Sequence, residues 1–199
     1  MVSIILPYVE DRGFLTECID SIKAQTYQDI EILEIHSSDS LAKNFNKGLE
    51  KAQGEFIKLV GDDDWLPEDS IQDLVNGMYG RAWVVANAIN VTEHGHFPET
   101  PNLEELRFEN MVNKNGIHNG GTMYRTEIIR EIGGMDESLW TAEEYEMHLR
   151  LMKKGYLPGY VPKFVYFYRI WGGSKSIKYR RKDKKKRNAE IERIQNLYR

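Results

Sequence analysis

Short apolar runs alternate with amphipathic segments over the first 60 residues, and this alternation constrains the fold more than any other feature of the chain. Residues 2–6, 30–35 and 56–60 have the length and composition of strands, and the first run is apolar throughout, as expected for a parallel strand buried on both faces. Residues 14–22 and 41–52 carry apolar side chains at helical spacing. Strands and helices in this order form a βαβαβ unit with right-handed crossovers. We therefore predict an α/β fold with a mostly parallel central sheet flanked by helices.

The rest of the chain adds strands and helices around a polar middle segment. Residues 92–119 are polar and contain three of the five histidines, and we predict an irregular excursion there with a short helix near 103–111. The other predicted elements are a helix from Pro67 to about Tyr79, strands at 82–91, 120–125 and 162–169, helices at 127–132 and 142–154, and a short amphipathic helix carrying Ile191, Ile194 and Leu197.

Charge is divided unevenly along the chain. Residues 178–199 hold ten Lys+Arg and three Asp+Glu, or +7, whereas residues 1–177 hold 17 and 28, or −11. An acidic body repels polyanions, which disfavours nucleic acid as the main ligand. The basic run at 178–187 is typical of a solvated tail, and contact with an anionic membrane or with a phosphorylated substrate are the alternatives.

Size and cysteine content narrow the class of protein. The 199 residues suffice for one domain with a tail. Cys18 is the single cysteine, so no intrachain disulfide is possible and nothing indicates an oxidising compartment. The first apolar run meets Pro7 too early for a signal peptide or a membrane span. We expect a cytoplasmic protein, with the basic tail as its only candidate membrane contact.

Three consecutive carboxylates, Asp62, Asp63 and Asp64, directly follow the third predicted strand. Like charges this close repel one another, and a divalent cation removes that cost. Oxygen ligands suit Mg²⁺ or Mn²⁺, with substrate phosphates completing the shell, and ligands commonly bind at this edge of an α/β sheet. A solvated acidic turn that favours the dipole of the following helix is the alternative.

A second acidic group, Glu143, Glu144 and Glu146, opens the helix predicted at 142–154. The helix dipole alone favours carboxylates there, so a structural role remains open beside that of a general base. The histidines show no metal-ligand spacing, and His148 lies inside the helix, so we assign none to catalysis. The chain also lacks the motifs of serine hydrolases, P-loop proteins and classical dinucleotide-binding domains.

Seven segments in sequence order resemble glycosyltransferase family 2, whose members have the single-domain, Rossmann-like GT-A fold. These segments are the opening strand at 2–7, CIDSIKAQTY at 18–27, residues 46–57 with NKGL and AQGEFI, DDDWL at 62–66, IGGMDE at 132–137, EEYEMHLRL at 143–151, and Tyr168-Arg169 with Ser174 and Ser176.

The resemblance implies an inverting, metal-dependent glycosyltransferase of polysaccharide biosynthesis. Such an enzyme moves a hexosyl or deoxyhexosyl group from a UDP- or dTDP-type donor to a hydroxyl of a glycan or glycoconjugate. It implies Mn²⁺ or Mg²⁺ held by Asp64 as principal ligand with Asp62, and Glu144, beside Glu143, as catalytic base. The residues implied for the donor are Pro7, Tyr8, Glu10, Asp39, Asn46, Asp62 and Asp63, and those expected at the acceptor are Asn119, Gly120, Gly121 and Trp140.

The same resemblance divides the chain and marks where it departs from the family. It implies a GT-A domain at 1–177, with a nucleotide-binding half at 1–91 and an acceptor half at 92–177, followed by a basic helical tail at 178–199. The departures are His36-Ser37-Ser38-Asp39 in place of DDGS, Glu144 in place of aspartate, Trp171 in place of the histidine of YR.H, and Tyr8 directly after Pro7.

Two other functions compete with this interpretation. A sugar-nucleotide pyrophosphorylase would need a glycine-rich, basic phosphate loop after the first strand, and residues 10–13 (EDRG) are a poor substitute. A non-catalytic relic of the same fold, which binds a nucleotide sugar or carbohydrate, would account for the altered positions His36 and Trp171.

Overall fold

The computed structural model describes residues 1–174 and 183–199. Within these residues, seven strands form one sheet. The strands are β1 (Val2–Tyr8), β2 (Ile30–His36), β3 (Phe56–Leu59), β4 (Trp83–Thr92), β5 (Gly95–Glu99), β6 (Thr122–Arg125) and β7 (Gly159–Arg169). The helices are α1 (Leu15–Lys23), α2 (Leu41–Lys51), α3 (Ser70–Gly77), α4 (Phe108–Met111), α5 (Thr126–Glu131), α6 (Glu143–Lys153) and α7 (Lys184–Tyr198), with 3₁₀ turns at Leu103–Leu106 and Asn119–Gly121.

The sheet confirms the predicted βαβαβ unit and the expectation of a mostly parallel sheet, since all of its strands except β5 and β6 run in one direction. The strand order is β2-β1-β3-β6-β4-β5, and β7 also pairs with β4. The pairs β1–β2, β1–β3 and β4–β7 are parallel. The pairs β3–β6, β4–β6 and β4–β5 are antiparallel. In the described part of the chain, the sheet is therefore mixed.

Two hydrophobic cores lie on opposite faces of the sheet, because successive strand residues point to opposite faces. Ile4 belongs to the core covered by α1 and α3, whereas Ile5 belongs to the core covered by α2, α5 and α6. Both side chains are fully buried. Ser40 caps α2 as predicted, with its hydroxyl accepting a hydrogen bond from the Lys43 N–H.

Two regions differ from the sequence prediction. Residues 95–99 form β5, which pairs with β4 as a hairpin within the segment predicted to be irregular. In α7, Ile194 is buried and Ile191 packs against the core, but Leu197, predicted to share their apolar face, is 59% exposed. The predicted boundary at 177/178, Ser176 of the family motif and the basic residues 178–182 lie outside the described residues.

Candidate active site

The acidic residues lie at the C-terminal edge of the parallel strands. They follow β3 in a turn in which the Asp64 N–H donates to the Gly61 carbonyl at 3.1 Å. Because β1, β2 and β3 are parallel, Tyr8 and His36 end at the same edge of the sheet. This placement matches the predicted position for a ligand site.

Asp64 is the buried member of the three carboxylates, with 4% of its surface exposed. Its Oδ2 accepts a hydrogen bond from the Tyr166 hydroxyl at 2.7 Å, and its Oδ1 accepts one from the Arg169 N–H at 2.8 Å. Burial, reinforced by the charge of Asp63, raises the pKa of Asp64 to about 8. Through these two contacts, the Asp64 carboxylate joins the turn to β7.

Asp62 and Asp63 reach the surface and share one positive group. Arg12 Nη2 lies 2.7 Å from Asp62 Oδ1 and 3.5 Å from Asp63 Oδ2. Asp63 Oδ2 also accepts a hydrogen bond from the Trp171 indole N–H at 2.8 Å. One guanidinium between two carboxylates marks a place for a single cation, and the oxygen atoms around it are the kind that Mg²⁺ or Mn²⁺ binds. The pair therefore fits a metal ion shared with a diphosphate.

The fit depends on ligands from outside the chain. Among residues 1–174 and 183–199, no three or more His, Cys, Asp or Glu side chains converge as a metal-binding group. Magnesium commonly uses one or two protein carboxylates, and phosphates and waters supply the remaining ligands.

Glu144 lies in the first turn of α6, where Asn119 holds its carboxylate. Asn119 Nδ2 donates to Glu144 Oε2 at 2.6 Å. Ala142, the residue before α6, has φ 60° and ψ 26°, a left-handed conformation that is costly for a residue with a Cβ. Glu143 is 4% exposed. The start of α6 is therefore set by a strained residue and an amide contact, with Glu144 nearer the surface than Glu143.

Asn119 is in turn held by a buried hydrogen-bonded chain. Thr122 Oγ1 donates to the Asn119 carbonyl at 2.6 Å, and the Tyr124 hydroxyl donates to Thr122 Oγ1 at 2.8 Å. His148 Nε2 lies 2.7 Å from the Tyr124 oxygen, and it must donate there because the hydroxyl proton is already used. Burial lowers the pKa of His148 to about 3, so the ring is neutral. His148 packs inside the protein, as the sequence indicated.

Lys58 and Tyr166 connect the acidic turn to the Glu144 side of the site. Lys58 is fully buried, and its Nζ donates to the Gly120 carbonyl at 2.6 Å and to the Thr122 carbonyl at 3.2 Å. The same Nζ lies 5.1 Å from the centre of the Tyr166 ring, whose hydroxyl binds Asp64. Burial lowers the pKa of Lys58 to about 7, although the negative charges of Glu144 and Asp64 raise it. The two carboxylate groups therefore belong to one continuous site.

Most of the predicted donor-side residues lie at the ends of β1 and β2. The Tyr8 ring stacks on His36 with 5.1 Å between centroids, and its hydroxyl donates to Glu34. Asp39 forms an ion pair with Lys47 at 2.6 Å, and this contact lowers the pKa of Asp39. Pro7 is the last-but-one residue of β1, and Glu10 is exposed in the loop that follows.

Asn46, also predicted for the donor site, contacts the turn at residues 134–137. Its Nδ2 donates to the Met135 carbonyl and to Glu137, and its Oδ1 accepts from the Met135 N–H, each at 2.9 Å. A Cβ on Gly134, which has φ +71°, would lie 2.3 Å from Asn46 Oδ1. The Asn46 amide therefore holds the 134–135 turn against α2.

The predicted acceptor residues occupy two neighbouring places. A Cβ on Gly120 would lie 2.2 Å from the Tyr166 ring, and one on Gly121 would lie 2.4 Å from the Ala86 carbonyl, so both glycines permit close packing. Trp140 precedes α6, and Lys186 Nζ of α7 lies 4.4 Å from the centre of its ring. Trp140 is therefore in contact with the basic start of the C-terminal helix.

Sequence reasoning missed Arg12, Lys58 and Tyr166 as parts of the site. A lysine inside an otherwise apolar strand was the available signal for Lys58, because a buried lysine needs partners. Arg12 and Tyr166 gave no comparable signal.

Two surface pockets border Glu55 and Arg125, at the opposite end of β3, and none of the predicted site residues lines them.

The chain is similar in sequence to known glycosyltransferases. Residues 35–133 match the family model described as "Glycosyl transferase family 2". The chain is 28% identical over 149 residues to "Glycosyltransferase GlyG" of Streptococcus pneumoniae, covering 57% of this chain and 50% of GlyG. It is 26% identical over 99 residues to "Glycosyltransferase GlyA" of the same species, covering 37% of this chain and 14% of GlyA.

A solved structure shows the same fold. "S. aureus TarS 1-349 in complex with UDP-GlcNAc" has a TM-score of 0.63 at 15% identity, covering 87% of this chain and 59% of that one. The match shows a GT-A fold. This chain spans half or less of the length of the two curated relatives named above.

Proposed function

Because this chain belongs to glycosyltransferase family 2, we propose that it moves a hexosyl or deoxyhexosyl group from a UDP- or dTDP-type donor to a hydroxyl of a glycan or glycoconjugate. The observation that carries the proposal is the link between the acidic turn and Glu144. Tyr166 binds Asp64 and lies against Lys58, Lys58 binds the Gly120 carbonyl, and the adjacent Asn119 binds Glu144. The TarS structure bound to UDP-GlcNAc supports a nucleotide-sugar donor. The acceptor, and a role in polysaccharide biosynthesis, are part of the proposal.

Glu144 is the proposed general base. Its carboxylate takes the proton of the acceptor hydroxyl while the acceptor oxygen forms a bond to the anomeric carbon of the donor. The bond from that carbon to the diphosphate oxygen breaks in the same step, and its electron pair leaves with the nucleoside diphosphate. A single displacement of this kind inverts the anomeric configuration. Asn119 contributes by fixing Glu144 Oε2.

Asp62 and Asp63 are the residues that would hold a divalent cation, Mn²⁺ or Mg²⁺. The assignment moves the first ligand from Asp64 to Asp63, because Asp64 is buried and hydrogen-bonded through both oxygens. A cation there would stabilise the negative charge that develops on the leaving diphosphate. The Trp171 N–H donates a hydrogen bond to Asp63 and so orients its carboxylate.

The proposed function is tested by separating donor binding from transfer. We expect Glu144→Gln to lower kcat about 10²- to 10⁴-fold while the dissociation constant for UDP with Mn²⁺ stays near the wild-type value. Glu127→Gln, in the exposed first turn of α5, is the matched control. The donor is found by a thermal-shift screen of UDP- and dTDP-sugars with and without Mn²⁺. Wild-type turnover by Glu144→Gln, or full activity in excess chelator, would overturn the proposal.

Location is also a proposal. Among the described residues, no helix is long and apolar enough to cross a bilayer. We place the protein in the cytoplasm because its single cysteine, Cys18, is buried and free. The exposed lysines at the start of α7, Lys184, Lys185 and Lys186, support peripheral contact with an anionic membrane.

A further inference from the structure

Arg12 lies in the loop between β1 and α1 and reaches both surface carboxylates of the acidic turn. Two contacts shape this loop: Asp11 Oδ1 accepts from the Gly13 N–H at 2.7 Å, and Gly13 has φ +89°. The guanidinium lies 2.7 Å from Asp62 and 3.5 Å from Asp63, and 5.4 Å from the centre of the Trp171 ring. The Arg12 side chain is 29% exposed, so it borders solvent on one side.

The position of Arg12 conflicts with a metal ion on the same carboxylates. The guanidinium already balances the repulsion between Asp62 and Asp63. A divalent cation bound to those oxygens would repel a guanidinium at hydrogen-bonding distance. The two positive groups therefore compete for one place, and Arg12 has to leave when the cation binds.

The other cations near the acidic turn are fixed by their own partners. The Arg169 guanidinium lies 4.3 Å from the centre of the Phe14 ring and 4.5 Å from that of Trp65, and it donates to the Asp63 carbonyl. Lys58 is buried with its Nζ on two carbonyls. Arg12 is thus the cation best placed to exchange one anionic partner for another.

We propose that Arg12 is a diphosphate-binding residue that moves from Asp62 and Asp63 to the phosphate oxygens of the donor when a divalent cation takes the two carboxylates. The proposal rests on the proposed function. A guanidinium presents paired N–H groups that match phosphate as well as carboxylate oxygens, so the exchange preserves its hydrogen bonds. Asp62 and Asp63 would hold the cation, and Arg12, which contacts both carboxylates, is adjacent to the place where a diphosphate would bind. The acidic body, at −11 over residues 1–177, makes a local positive group necessary for binding a polyanion.

The proposal predicts opposite effects of one substitution on two ligands. Arg12→Ala removes the competitor, and we expect it to tighten binding of Mn²⁺ alone about three- to fivefold, measured by electron paramagnetic resonance of free Mn²⁺. It also removes the phosphate contact, and we expect it to weaken binding of UDP at saturating Mn²⁺ about tenfold or more, measured by calorimetry. Arg12→Lys keeps the positive charge but lacks the paired N–H groups. Its affinities for Mn²⁺ and UDP should therefore lie between those of wild type and Arg12→Ala.

Controls separate this role from a structural one. Arg107→Ala removes an exposed arginine that forms an ion pair with Glu104, and it should change neither affinity. If Arg12→Ala and Arg12→Lys weaken both ligands together, or leave UDP affinity unchanged, Arg12 does not act in the proposed way. If the wild type binds neither UDP nor dTDP with Mn²⁺, the proposed function itself fails and the role of Arg12 fails with it.

Discussion

The indole N–H of Trp171 donates a hydrogen bond to Asp63 Oδ2 at 2.8 Å, across 108 positions of sequence. Trp171 occupies the position at which the family motif resembled by this chain has histidine. A histidine ring carries nitrogen atoms that can donate a hydrogen bond, and the tryptophan indole carries one such N–H. The structure shows that tryptophan supplies an N–H donor, and that its ring also contacts Phe14 and Arg12.

Removal of this N–H tests whether it orients Asp63 for the donor. Trp171→Phe keeps an aromatic ring but loses the donor, and we expect UDP affinity at saturating Mn²⁺ to fall about tenfold, because a hydrogen bond to a charged group is lost. Trp171→His retains an N–H and should lose less affinity. Calorimetry measures both, with melting temperatures to confirm folding. Equal UDP affinity in Trp171→Phe and wild type would contradict the prediction.

Asn119 should affect the chemical step and not donor binding. Asn119→Ala removes the 2.6 Å contact to Glu144, and we expect kcat to fall about 10- to 100-fold with an unchanged dissociation constant for UDP. Asn119→Asp places a like charge against Glu144, and it should move the ascending limb of the pH–kcat profile to higher pH. A profile that keeps its shape in Asn119→Asp would argue against contact between the two side chains during turnover.

The left-handed residue before α6 predicts an increase in stability on substitution. Ala142 has φ 60°, where glycine has no Cβ penalty. We expect Ala142→Gly to raise the free energy of unfolding by up to about 1 kcal/mol, and Ala142→Val to lower it by more than that. Urea unfolding of the two variants and wild type measures the order of their free energies of unfolding. A less stable Ala142→Gly would show that the strain at this position is negligible.

The sequence predicted the elements whose pattern is local. β1, α2 and the Ser40 cap depend on spacing and capping that neighbouring residues specify. β5 was missed because its residues are polar and include Pro98, which a strand tolerates when only one edge is paired. The segment forms a strand because it pairs with β4, and its own residue pattern does not reveal that pairing.

The local sequence does not distinguish the roles of the three carboxylates. Consecutive aspartates look alike in sequence, and the choice of the inward one depends on Tyr166 and the Arg169 N–H, more than 100 residues later. Arg12 likewise meets Asp62 across 50 positions. Motif order located the site, but long-range contacts decide which side chain can meet a ligand.

His148 gives a pH dependence whose sign follows from its burial. The ring stacks on Trp83 and also contacts the Tyr124 ring, it is fully buried, and this burial lowers its pKa to about 3. An unfolded histidine titrates near 6.5. Between these values the unfolded chain binds a proton at this position that the folded chain does not. The free energy of unfolding therefore falls as pH drops below 6.5, by up to about 1.4 kcal/mol per pH unit.

The contribution of His148 is isolated by comparison with His148→Gln, which keeps an N–H donor but does not titrate. Other acids titrate in both proteins, so their effects cancel in the difference between the two. We expect wild type to lose about 1.6 kcal/mol more than the variant between pH 6.5 and pH 5, measured by urea unfolding at each pH. We expect the variant to be less stable at every pH, since it lacks the stacked ring. The test is therefore the slope of the free energy of unfolding against pH in each protein. Parallel slopes would mean that His148 gains a proton in the folded protein, which the burial of the ring disfavours.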